Sequence, residues 1–66
     1  MKTVLDVRNL LKRFGIIIYT GHRIGDLEMM EAELKDLYEA KLIDAEDYQK
    51  ALLILRHEKL DLQKEV

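Results

Sequence analysis

Gly15-Ile16-Ile17-Ile18-Tyr19-Thr20-Gly21-His22-Arg23-Ile24-Gly25 holds every glycine of a 66-residue chain that has no proline. Glycine and proline are the strongest local breakers of regular structure, so this is the only stretch where such signals cluster. Everything outside it can be helix. Within it, Ile16 to Tyr19 is a β-branched and aromatic run that favours an extended backbone. An isolated strand is not stable in water, and the sequence offers no second strand to pair with it. The run therefore predicts an extended connector packed on a helical core, followed by a turn over Thr20-Gly21-His22-Arg23.

Working outward, Val7, Leu10, Leu11 and Phe14 recur at i, i+3, i+4 and i+7, and Val4 extends that apolar stripe. Thr3 is placed to cap this helix, Asp6 puts a favourable charge in its first turn, and Gly15 can end it in a left-handed conformation. Helix one spans about residues 4 to 14. Beyond the connector, Asp26 reads as the cap of helix two, whose buried stripe is Leu27, Met30, Leu34, Leu37 and Tyr38. Its opposite face is acidic, with Glu31 and Lys35 spaced for an i, i+4 pair, and it ends near Lys41. Asp44-Ala45-Glu46-Asp47 is the clearest helix start in the chain. Asp44 caps, Asp47 stands at the capping-box position, and Ile43 can staple onto Tyr48.

Tyr48, Ala51, Leu52, Leu55 and Leu62 trace the inner face of helix three, which weakens after about Glu58. Leu53 and Ile54 fall off that stripe and need cover. The cover is either the Ile16–Ile18 connector or a second molecule, and the connector is favoured because a small domain uses its apolar residues internally. The fold predicted is all-α, a three-helix bundle with an extended connector between helices one and two. It forms one domain across residues 1–66, with the residues after about 59 frayed.

Composition narrows the function. Cysteine is absent, which excludes disulfides, thiol catalysis and thiolate metal sites. Asp6, Arg8 and Asn9 interrupt the N-terminal apolar stretch before a signal peptide could form, and no window approaches the roughly 18 apolar residues of a membrane span. A cytoplasmic protein with no membrane association is expected. The net charge of −2 conceals an uneven distribution. In residues 1 to 25, Lys2, Arg8, Lys12, Arg13 and Arg23 face Asp6 alone, a net of +4. In residues 26 to 47, nine carboxylates face Lys35 and Lys41, a net of −7, and the remainder is near balance at +1. Such a dipolar chain can meet an anion with its basic end.

The residues do not assemble an enzyme. There is no serine, and the only hydroxyls are Thr3, Thr20 and three tyrosines, so a nucleophile with a positioned base is not expected. Carboxylates on a convex helical face have neither the desolvation nor the fixed spacing for acid–base work. His22 and His57 are not at metal-ligand spacing, and solvated polar faces account for both. Gly15 to Gly21 lacks the Gly-Lys-Ser/Thr end of a phosphate loop. No catalytic residue, metal, cofactor or small-molecule substrate is expected. The basic first third, with Arg8, Lys12, Arg13, Tyr19, His22 and Arg23, is different. Arg8 and Lys12 are one turn apart on a helix, and cations beside an aromatic ring suit a phosphate backbone and an unpaired base. The alternative at these positions is structural: Tyr19 buries its ring, and Arg8 or Arg23 pairs with the acidic helix two.

The order and spacing of several segments resemble the YqgQ-like family of small bacterial proteins of unassigned function. The likeness covers about residues 6 to 58. It is carried by Asp6-Val7-Arg8-Asn9-Leu10-Leu11-Lys12-Arg13-Phe14-Gly15, by Ile18-Tyr19-Thr20-Gly21-His22-Arg23, by Met30 with Glu33-Leu34 and Leu37-Tyr38, and by Ala51 with Leu55-Arg56 and Glu58. His22 departs from the small acidic or amide residue usual there. The resemblance implies a three-helix bundle and weak binding of single-stranded RNA or DNA, with Arg8, Lys12, Tyr19, Arg23 and Arg56 as the residues involved. The alternative is a protein-interaction module or homodimer with no nucleic-acid role, using Leu53 and Ile54 or the acidic face of helix two.

Overall fold

The computed structural model describes residues 1–64. Among them are three helices, α1 (Val4–Lys12), α2 (Arg23–Glu39) and α3 (Ala45–Gln63), and no strand. The five residues between α2 and α3 allow only a tight reversal, so these two form an antiparallel hairpin with the most extensive packing in the molecule. The shorter α1 packs on both, more on α3 than on α2. Extents of 38 × 22 × 17 Å make the bundle elongated along the hairpin.

α1 forms as its sequence dictates. Thr3 Oγ accepts from the Asp6 N–H at 3.2 Å, and the Asp6 carboxylate accepts from the Thr3 N–H at 3.0 Å and the Lys2 N–H at 2.8 Å. This is a reciprocal capping box. Those backbone donors hold the Asp6 carboxyl below its ordinary pKa. Helical bonding stops at Lys12, two residues short of the expected end, because Arg13 to Gly15 turn out of the helix. Gly15, at φ 76°, supplies the left-handed residue, with its N–H on the Lys12 carbonyl and the Ile16 N–H on the Leu11 carbonyl. Phe14 therefore leaves the stripe and is exposed.

Helix two begins three residues before the expected cap at Asp26. His22 occupies the cap position without a side-chain hydrogen bond. Asp26 lies within the helix, 3% exposed, and its carboxylate reaches back to accept from the Thr20 N–H at 3.0 Å and from the Thr20 hydroxyl. Its acid is spent on the turn before the helix, which leaves the chain free to start helical bonding at Arg23. At the far end, Lys41 adopts φ 61°, with its own N–H on the Tyr38 carbonyl and the Leu42 N–H on the Leu37 carbonyl. α3 opens with Asp44 accepting from the Asp47 N–H at 2.8 Å and stays helical through Gln63, past the expected weakening at Glu58.

Val7, Leu10 and Leu11, then Leu27, Met30, Leu34 and Leu37, then Ala51 and Leu55, with Ile18 and Ile43 from the links, make one contiguous core. Tyr38 is not in it. It is exposed and stacks on Tyr48 at a centroid separation of 4.6 Å. Glu31 does not pair with Lys35 either: Glu31 meets Arg56 across the α2–α3 seam, and Lys35 meets Glu39.

The connector leaves Leu53 uncovered, while Ile54 is half-buried against the core. Once the Ile16 N–H is bonded to Leu11, the chain turns back beside α1, and the Arg8 guanidinium holds the Ile18 carbonyl at 2.6 Å. Ile18 consequently joins the core with Leu11 and Met30, Ile16 packs against it, and Leu53 is left 65% exposed. Burial alternates along the connector: Ile16 and Ile18 face inward, while Ile17 and Tyr19 are 75% and 81% exposed.

Candidate functional site

On α1, Leu5, Arg8, Asn9 and Lys12 follow the i, i+3, i+4, i+7 pattern, a second face adjoining the buried stripe. The connector folds back beside this face, and between them lies a groove of about 220 Å³. It is lined by the apolar side chains of Leu5, Leu11, Ile16 to Ile18 and Met30, together with Arg8, Asn9, Lys12 and Tyr19. Three of the five residues expected to bind nucleic acid are thus brought together. The remaining two are not. Arg23 forms an ion pair with Glu58 of α3 at 2.6 Å, and Arg56 pairs with Glu31 at 3.6 Å on the α2–α3 seam.

The electrostatics of the groove follow from where the acids of α2 are directed. Glu28 meets Lys59 and Glu31 meets Arg56, so both are matched by cations of α3 and not by those of α1. Among the described residues, no carboxylate lies within 4.0 Å of the side-chain nitrogens of Lys2, Lys12 or Arg13. Arg8 uses one guanidinium nitrogen on the Ile18 carbonyl, and a guanidinium carries five N–H donors, so the group is oriented with donors to spare. Tyr19 is exposed and lines the same groove as Arg8 and Lys12.

Leu5 and Asn9 are the groove residues that sequence reasoning missed. The signal was available, since both share the spacing of Arg8 and Lys12. Elsewhere, among the described residues, no three His, Asp or Glu side chains gather where they could hold a metal ion. No helix among them is long and apolar enough to cross a membrane.

The fold and site define a small all-helical protein with a short apolar groove edged by cations. The YqgQ-like family model matches residues 1–60, and the chain belongs to that family. It is 45% identical over 58 residues to the uncharacterized protein YqgQ of Bacillus subtilis (strain 168), an alignment covering 88% of this chain and 82% of that protein.

Proposed function

We propose that this protein is a non-catalytic, cytoplasmic binder of single-stranded nucleic acid, and that the face formed by α1 and an extended connector is its binding surface. The observation that carries this reading is the company kept by Tyr19: an exposed ring lining one apolar groove with Arg8, which has spare donors, and with Lys12, which has no carboxylate partner among the described residues. A base stacks on the ring, and the flanking phosphates meet Arg8 and Lys12. Stacking of a base on an aromatic side chain contributes about 1–3 kcal/mol, and two phosphate contacts add a modest, salt-sensitive term. Affinity is accordingly weak. The absence of a catalytic role is supported at the two threonines, whose hydroxyls are engaged in the α1 cap and in the turn before α2.

Fluorescence anisotropy of a labelled single strand across a salt series tests the proposal. Two neutralised phosphates predict a slope of roughly −1.4 in log K against log salt. Lys12→Glu reduces that slope by about half or more, and Tyr19→Ala weakens binding about tenfold without changing it. Arg56→Ala leaves both unchanged. An absence of binding at low salt, or binding lost with Arg56→Ala and kept with Lys12→Glu, contradicts the proposal.

A further inference from the structure

A second groove, of about 620 Å³, lies between the start of α1 and the middle of α3. Its apolar lining is Val4 and Leu5 on the α1 wall and Leu53 and Ile54 on the α3 wall. Leu5 and Leu53 are 64% and 65% exposed, so two large apolar side chains face water across it. Its charges are divided by wall. The Arg23–Glu58 pair is satisfied within the chain, which, His57 of the α3 wall apart, leaves Lys2 on the α1 wall and Asp61 on the α3 wall. Among the described residues neither has an ion-pair partner.

We propose that this groove docks a second copy of the chain about a two-fold axis. With the two-fold axis running along the groove, each wall faces the opposite wall of its mate. Leu5 then packs on Leu53 of the second copy, and Lys2 meets Asp61 of the second copy, each contact occurring twice. A uniformly acidic or basic partner meets repulsion from one wall, whereas a two-fold mate presents the charges in the reverse order. The net charge of −2 leaves little repulsion between copies. A 66-residue chain has little core to itself, and covering Leu53 in this way extends it. A standard interface buries about 800 Å² per partner, about a sixth of this chain's 4879 Å² surface. The groove offers a smaller patch than that, so the dimer is weak. Leu5 lines both grooves, but Lys12 and Tyr19 lie outside this one, so dimerisation leaves the ring and the cations of the first groove uncovered.

Sedimentation equilibrium of the full chain over a concentration series reads the association directly. The wild type shows a monomer–dimer equilibrium, and Leu53→Glu raises Kd at least about tenfold while helical circular dichroism is retained. Lys2→Glu weakens association severalfold, and the double exchange Lys2→Glu with Asp61→Lys restores it. A monomer mass at every concentration up to about 1 mM overturns the proposal. So does a dimer insensitive to Leu53→Glu, or a Lys2→Glu defect that the double exchange does not repair.

Discussion

Lys41 stands where the chain needs a glycine. At φ 61° it occupies the left-handed position of the turn that closes α2, where an L side chain costs about 1–2 kcal/mol relative to the right-handed form. Gly15 fills the equivalent position after α1, and a Cβ built there meets nothing within 4 Å, so the demand at that site comes from the backbone alone. The two positions make opposite predictions. Lys41→Gly stabilises the protein by about 0.5–1 kcal/mol, and Gly15→Ala destabilises it by about 1 kcal/mol, both read from urea midpoints at unchanged m. The reverse order contradicts the assignment of the two turns. Gly15 was legible in the sequence because the residue type announces the conformation. Lys41 was not, since lysine carries no such signal and only the surrounding hydrogen bonds impose it.

At the scale of elements, the segment from Thr20 to Asp26 decides how α1 and α2 are joined. Asp26 was legible as an acid near a helix start, but its target was not, because the same carboxylate can cap its own helix or reach back to an earlier turn. Burial separates the two: at 3% exposure, Asp26 is committed to Thr20. Asp26→Ala removes charge-assisted bonds of about 1.5–3 kcal/mol in total stability, and amide exchange at Thr20 accelerates. Glu33→Ala on the same helix changes stability by less than about 0.5 kcal/mol. Equal effects from the two substitutions would mean that Asp26 does not fix the turn. The helices themselves were readable from apolar spacing and from Thr3 and Asp44. The path of the connector was not, because Ile16 to Ile18 can cover any apolar surface in reach. The Arg8 bond to the Ile18 carbonyl turns them toward α1 and α2 and leaves Leu53 bare.

Over the whole molecule, the charge separation along the chain becomes a separation in space, though not the simple one the sequence suggests. The acidic α2 directs Glu28 and Glu31 to the cations of α3, and among the described residues this leaves the cations of α1 unmatched. Arg8, Lys12 and Tyr19 were recognisable as candidates, and the fold gathers them. Arg23 and Arg56 carry the same chemistry in the sequence, but their partners lie 35 and 25 residues away, at Glu58 and Glu31, beyond any local pattern. On the function proposed above, the α1 and connector face, and not the α2–α3 seam, receives a single strand. This is tested most directly by titrating a short single-stranded oligonucleotide into the ¹⁵N-labelled protein and following amide shifts. The account predicts fast-exchange shifts concentrated at Arg8, Asn9, Lys12 and Ile17 to Thr20. Shifts centred on Glu31, Arg56 and Lys59, or no shifts at low salt, would contradict it.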